Sequence, residues 1–529
     1  MNQRRERAWG IVYALVCGSL YSLPLFVVIH YKADFTYFAN ESLAYRYFLS
    51  ERLSSGEYAW IWQGHLTTSI QNFIYLVVDR FLAPSPSDLH LRLQLFSVLT
   101  LTFYAVLTTG LFLIAGQTQR LDWRDRFLVA MIPLAPLYTT LSGSYYHLAP
   151  DYWALDIILA AGAALLFQYE WRSKISDRSL FKIALLGGYC GLLAANKIYM
   201  SILGIFIVVP FLFSSPLRAS SVALRAFIAF AGALLVLCMV LLIFYSFDVG
   251  ALRRMLRVWF GSMASAGGKE NLLTADQYMT AWRSYGSFAA LWLIATIIVL
   301  INFLATRARQ TGILIACNAV GALAALYVLF YYPAGTTIFE VAILFLSFTA
   351  ILVTSVPMSK AYVVAATATA ISFVLRVSSP VNAADAFYWI THSSKMGEVR
   401  WQLHAEVMRI AAGRRIITVI PLNDYTYGGV QELLLKGAGD FPTWNVSASG
   451  QRLIDRYAPH MTFRYAYGAE NPNALYPGDV LVLWWDKPDA QPLVDKYPAL
   501  GEAVNRKNVV CREWKQPELT FDIKACLLP

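Results

Sequence analysis

The feature that most constrains this chain is a series of apolar runs, most of them long enough to cross a bilayer, separated by short polar breaks. They cover about 9–29, 93–116, 127–141, 152–169, 183–196, 199–213, 222–245, 288–305, 311–330, 337–356 and 361–377. A helix needs roughly twenty such residues to cross the hydrocarbon core. Only 14% of the 529 residues are charged, while 57% are hydrophobic and 15% aromatic; a soluble chain carries about 25% charge. This balance excludes a disordered protein, a purely cytosolic enzyme and a nucleic-acid binder built on basic stripes. The net charge of +10 is what cationic residues flanking membrane spans would give.

The first run follows Arg4, Arg5 and Arg7 and ends in Val28-Ile29-His30-Tyr31. It has no small-residue cleavage site, so it reads as a retained span rather than a signal peptide. The stretch 183–213 is too long for one ordinary span and is interrupted by Asn196-Lys197. A charge at mid-bilayer is costly, so Lys197 is expected at the tip of a hairpin of two short spans. With that hairpin, Arg120, Arg124, Arg126, Arg172, Lys174, Arg178, Lys182, Arg218, Arg225, Arg307, Arg309 and Lys360 all fall on one side, as the positive-inside rule requires. The expectation is about eleven spans, with the N-terminus inside and the C-terminus outside.

Three outer segments follow: 30–91, 142–151 and 248–287. The first is amphipathic and aromatic, with Tyr37, Phe38, Tyr45, Tyr58, Trp60 and Trp62, and the third opens with a basic helical pattern holding Arg253, Arg254 and Arg257. Such segments lie in the membrane interface rather than across it. Beyond about residue 380, charge, Gly and Pro return. Short β-rich runs at 415–421, 461–467, 479–485, 508–514 and 519–525 alternate with helical patterns at 396–412, 428–437 and 450–457. The expected fold class is therefore a polytopic α-helical membrane protein over 1–379 with a small C-terminal α/β extracytoplasmic domain over 380–529. Cys511 and Cys526 are the two cysteines of that outer domain. An oxidising compartment favours pairing them, the alternative being two unrelated buried thiols.

Ionisable residues at the outer ends of spans are the candidates for chemistry, because such groups are costly unless used or solvated. Asp34 follows the first span and also fits the N-cap of an interfacial helix. Asp151 begins the fourth span in Pro150-Asp151-Tyr152-Trp153, a sequence that equally makes a good helix start. Asp156 is one turn deeper and ranks second. Lys197 suits an anion site, or snorkelling to headgroups. Arg92 and the Arg253, Arg254 and Arg257 group carry the same two readings. His65 fits a phosphate donor, a metal ligand or a surface residue. Glu41 and Glu340 are acids near the interface without an assigned role. Two carboxylates and several cations meeting at one outer face, beside aromatic loops, would suit a substrate with a lipid tail, an anionic phosphate and a polar group. There is no metal motif, P-loop, dinucleotide fingerprint or nucleophilic triad.

On these stretches the chain resembles the GT-C superfamily of integral-membrane glycosyltransferases, nearest to the protein O-mannosyltransferase and lipid A aminoarabinose transferase branches. The resemblance covers about residues 9–360. It rests on Asp34 and the aromatic segment through Leu53-Ser54-Ser55-Gly56, on Leu89-His90-Leu91-Arg92-Leu93, on Pro150-Asp151-Tyr152-Trp153-Ala154-Leu155, and on the glycine-rich run from Gly187 to Asn196-Lys197; Tyr331-Tyr332-Pro333 resembles a later outer loop. Two departures stand beside these. Asp34-Phe35 occupies the place of the family's Asp-Glu or Asp-Asp, and Thr67-Thr68 the place of its Pro-Pro.

The resemblance implies sugar transfer, with inversion, from a polyprenyl-phosphate donor to a hydroxyl of a glycan, lipid or protein acceptor outside the membrane. It makes Asp34 the general base and Asp151 a group that orients a substrate or assists the base. Lys197 would hold the donor phosphate first, then Arg92 and one of Arg253, Arg254 or Arg257. His65, Tyr146, His147 and Tyr332 would contribute to phosphate or sugar binding. It leaves a divalent metal ion open as a cofactor. The implied location is a bacterial inner membrane with the C-terminal domain in the periplasm, and the partners are the lipid-linked donor, the acceptor and membrane lipids. The rival classes are a transporter or flippase, and an O-antigen-type polymerase or ligase.

Overall fold

The computed structural model describes residues 3–31, 70, 73–74, 77–82, 89–140, 154–172, 180–213, 219–244, 249, 275–331, 335–356, 409–410, 416–419, 461–463, 477–478, 480–486, 508–514 and 521–529. The helices are α1 (Gln3–Tyr31), α2 (Leu89–Gln117), α3 (Trp123–Thr140), α4 (Ala154–Arg172), α5 (Leu180–Asn196), α6 (Ile202–Leu212), α7 (Ala219–Phe244), α8 (Ala275–Thr306), α9 (Arg309–Tyr331) and α10 (Gly335–Thr354). Each falls on an expected apolar run; the run at 361–377 lies outside the described residues. Five stretches among the described residues are long and apolar enough to cross a membrane: Val98–Gln117, Ala154–Arg172, Ser220–Ile243, Phe288–Thr306 and Arg309–Leu329.

Burial also fits a bundle solvated by lipid. α4 is inside: the small residues Ala160, Ala161, Gly162, Ala163 and Ala164 are all buried. α7 instead exposes Leu224, Phe227, Phe230, Leu234 and Leu235. Water would penalise such an array of large apolar side chains, whereas lipid does not.

Because lipid supplies no hydrophobic drive between helices, close backbone approach has to do the packing. The glycine spacing of α5 serves this. A Cβ at Gly187 would collide with the Ala229 carbonyl, and one at Gly191 with the Ala233 carbonyl; from the other side, Gly232 of α7 meets the Ala184 carbonyl. The matching order of these contacts makes α5 and α7 run parallel. α6 must therefore return between them, and Gly204 of α6 packs on Cys190 of α5. Between α5 and α6 the chain breaks at Lys197, whose backbone is extended (φ −149°, ψ 135°), followed by the 3-10 turn Ile198–Ser201. The expected hairpin at Asn196-Lys197 is the observed one. α6 has 11 residues and so rises only about 16 Å.

The direction of the other helices follows from their polar contacts. Gln117 at the end of α2 donates to the Arg7 carbonyl near the start of α1 (3.1 Å), and Tyr13 donates to the Arg126 carbonyl of α3 (2.7 Å). Asp122 caps α3 by accepting the Asp125 N–H (2.9 Å), as an N-cap carboxylate should. α4 and α10 are parallel: Gln168 meets Thr354 near their C-terminal ends (3.1 Å), and their N-terminal ends meet through Lys197, described below. Phe206 of α6 and Trp292 of α8 pack on Phe348 and Phe345 of α10, each at 4.7 Å between ring centroids. Asn318 of α9 joins α8 by accepting from Trp292 (2.8 Å) and donating to Thr296 (3.1 Å).

The chain divides into two compact units, one holding Met1–Leu25, Trp60–Ile70 and Thr100–Ala386, the other the remainder. The second unit contains a five-stranded sheet built from β1 (Ile416–Val419), β2 (Met461–Phe463), β3 (Val480–Asp486), β4 (Val510–Trp514) and β5 (Phe521–Leu527), in the order β2-β1-β3-β5-β4. β2, β1 and β3 are parallel; β5 is antiparallel to both β3 and β4. Cys511 and Cys526 stand opposite one another in the β4–β5 register and form a disulfide. The helical patterns at 428–437 and 450–457 lie outside the described residues.

Candidate functional site

A group of buried charge sits where α4 and α10 begin and α5 ends. Each element contributes for a local reason. Asp156 lies in the first turn of α4, where the positive end of the helix favours an acid. Lys197 occupies the break that ends α5, and Glu340 sits in the second turn of α10. The Lys197 ammonium lies 2.7 Å from Asp156 Oδ2 and 2.8 Å from Glu340 Oε1. Asn196 donates its amide to Asp156 Oδ1, and Tyr199 donates its hydroxyl to Asp156 Oδ2 (3.1 Å). The ammonium also lies 5.7 Å from the centre of the Tyr199 ring, within cation–π range. The side chains of Lys197 and Asp156 are 3% and 1% exposed, and that of Glu340 is 14% exposed.

This group can do one thing well, which is to hold a positive charge at a fixed point inside the bundle. Among the described residues its two carboxylates outnumber its single ammonium, so the formal charge of these three is negative when all are ionised. Burial makes such an imbalance expensive unless a proton, a cation or a rearrangement relieves it.

At the other end of α4 stands a second charged group. Arg172 donates through Nε to Asp125 Oδ2 (3.0 Å) and through a terminal nitrogen to Asp122 Oδ2 (3.2 Å). Arg124 lies 3.4 Å from Asp125 Oδ1 and donates to the Val356 carbonyl (2.9 Å) just beyond α10. Burial pushes the Asp125 carboxyl up to about 6 and the Asp122 charge adds to the rise, against the lowering effect of Arg124 and of hydrogen bonds from the Asp122 region and Thr354. This group ties α3, α4 and the end of α10 together.

Of the residues singled out from sequence, Lys197 lies in the first group. Asp156, ranked second there, and Glu340, left without a role, turn out to be its partners. A carboxylate inside the apolar run at 337–356 was the available signal for Glu340, since such a group must find a partner. Arg92 lies on α2. Asp34, His65, Tyr146, His147, Asp151, Arg253, Arg254, Arg257 and Tyr332 lie outside the described residues. Among the described residues, no group of three or more His, Cys, Asp or Glu side chains is placed to hold a metal ion, and the Asp156–Glu340 pair is engaged by an ammonium instead. No family model matches the chain, and no curated protein matches it either.

Proposed function

We propose that this protein is a polytopic membrane glycosyltransferase of GT-C type that moves a sugar from a polyprenyl-phosphate donor to a hydroxyl acceptor on the outer face of a bacterial inner membrane. In this reading about eleven helices span the bilayer, and the C-terminal α/β domain is periplasmic and non-catalytic. The observation that carries the reading is the Lys197 ammonium, buried at the break between two short helices. It lies at the end of the bundle opposite Arg124 and Arg172. The positive-inside rule makes the arginine end cytoplasmic and the lysine end external.

The reaction is a direct displacement. The acceptor oxygen bonds to the anomeric carbon as the bond from that carbon to the phosphate oxygen breaks, and the configuration inverts. Asp34 accepts the hydroxyl proton as the new bond forms. The leaving phosphate is stable as an anion and needs no proton, so cations stabilise the charge that develops on it. Lys197 takes that role first, followed by Arg92 and one of Arg253, Arg254 or Arg257. Asp151 orients the acceptor or the donor sugar. His65, Tyr146, His147 and Tyr332 complete the binding surface.

The test is transfer of radiolabelled sugar from a polyprenyl-phosphate donor by the full chain in nanodiscs. Asp34→Asn is expected to abolish transfer and to leave donor binding intact. Turnover near the wild-type rate removes Asp34 as the base. Lys197→Ala is expected to weaken donor binding, and unchanged affinity removes it from the phosphate site. One observation favours a second reading, a transporter or flippase: buried ionisable groups inside a helical bundle commonly mark ion pathways, and the Lys197 group is buried. Substrate flux in proteoliposomes without sugar transfer would select it.

A further inference from the structure

The three charged members of the Lys197 group are not held equally. Asp156 accepts from three donors, Lys197, Asn196 and Tyr199, and its side chain is 1% exposed at the positive end of α4. Glu340 accepts from Lys197 at 2.8 Å, shares the single Tyr199 hydroxyl proton with Asp156, has no counterpart to the Asn196 amide among the described residues, and its side chain is 14% exposed. It also has one more rotatable bond than aspartate with which to swing away. An anion arriving at Lys197 meets two carboxylates already there, and three negative groups cannot share one buried ammonium. One carboxylate has to leave, and two observations distinguish them: Asp156 is held by the Asn196 amide as well and is the more buried, while Glu340 lacks that donor and is the more exposed.

We infer that Glu340 is an exchangeable counter-ion. It holds the place at Lys197 that a substrate phosphate takes, and it withdraws when that phosphate arrives. This rests on the reading of Lys197 as the phosphate-holding group and adds to it a competitor that sets donor affinity. Asp156 pairs the ammonium throughout, and Glu340 occupies its remaining face until a phosphate takes it. The competition also favours a full phosphate charge over weaker anions, because only a ligand that binds Lys197 better than the resident carboxylate can displace it.

The test is equilibrium binding of undecaprenyl monophosphate, and separately of inorganic phosphate, to the full chain in nanodiscs. Glu340→Gln keeps the shape and removes the charge. It is expected to tighten undecaprenyl monophosphate binding by about tenfold, the scale of removing one close charge contact. Glu340→Asp keeps the charge and is expected to show no comparable gain. Lys197→Met is expected to weaken binding, and adding Glu340→Gln to it is expected to bring no gain. A perturbed bundle would lose affinity, so the sign of the Glu340→Gln effect separates competition from a merely structural role; Glu340→Ala provides the same sign test if the glutamine variant is poorly folded. If Lys197→Met weakens binding but neither Glu340 variant tightens it, the counter-ion role is overturned and the phosphate site stands. If Lys197→Met leaves binding unchanged, the phosphate reading itself fails and takes this inference with it. Inorganic phosphate showing the same gain in Glu340→Gln assigns recognition to the phosphate group alone. A gain confined to undecaprenyl monophosphate assigns it to a lipid-borne phosphate.

Discussion

α4 carries a charged group at each end, about 24 Å apart at 1.5 Å per residue, and the two differ in balance and in access to water. The Arg124–Arg172 group pairs two guanidiniums with two carboxylates and runs from a buried end to a wet one: Asp125 and Arg124 are 0% and 15% exposed at the side chain, Asp122 and Arg172 53% and 31%. Among the described residues the Lys197 group sets one ammonium against two carboxylates, and none of these three side chains is more than 14% exposed. A balanced group that reaches a wet boundary satisfies itself, even around a buried acid, and serves as a tie between helices. An unbalanced group in a dry interior holds its surplus charge at a cost, and such a cost persists where the surplus is used. Composition alone would have ranked the two the other way, since the first has more charged residues.

The largest effect expected from breaking this contrast is that of Lys197→Met. It leaves two carboxylates buried together, and the loss is about 3–5 kcal/mol, read as a large drop in Tm in detergent. Adding Asp156→Asn and Glu340→Gln to it is expected to restore much of the loss; no restoration would mean that packing, not charge, holds this end. Next come the single carboxylate variants. Asp156→Asn is expected to cost about 1–3 kcal/mol and Glu340→Gln less, because Asp156 accepts from three donors. The reverse order would remove the distinction between a fixed and an exchangeable acid.

At the other end of α4, acid should act in a definite direction. Asp125 rises from 3.8 to about 6 on folding. Within that window the folded protein holds a proton that the unfolded chain lacks, so stability from this site grows as pH falls and is absent above it. The Tm of wild type minus that of Asp125→Asn is therefore expected to rise from pH 7 to pH 5; a flat or falling difference would break the assignment. The smallest effect is that of Arg172→Gln, about 1 kcal/mol, because Arg124 stays beside the buried Asp125 and the Asp122 pair is exposed, and the Asp122 part of it should shrink as salt is raised. A salt-insensitive loss as large as that of Lys197→Met would erase the contrast.

The helices were legible because apolar length is a direct consequence of bilayer thickness, and each of α1 to α10 falls on a run visible in the sequence; the short π-helical turn Val78–Leu82 falls on none. The break at Lys197 was legible for a related reason: a charge in a long apolar stretch has to reach an edge or a partner. The strand runs were equally visible, since β5 and β4 fall on 519–525 and 508–514 within two residues. Partners were not. Lys197 and Glu340 are 143 positions apart, and a single sequence carries no signal for which of several acids closes that distance. The clasp of Asp122 and Asp125 with Arg172 was hidden for a different reason. The arginines were absorbed by a rule about sidedness, which counts cations and is blind to the acids beside them.

The glycine clasp of α5 and α7 bears on how this molecule can move. Backbones in direct contact at Gly187 and Gly191 cannot slide past one another by rotamer changes, since there are no side chains between them to repack. The lysine is thus mounted on a stiff joint like the fixed jaw of a vice. In the counter-ion reading, the part that yields when an anion arrives is then the glutamate's side chain and not the lysine's mount.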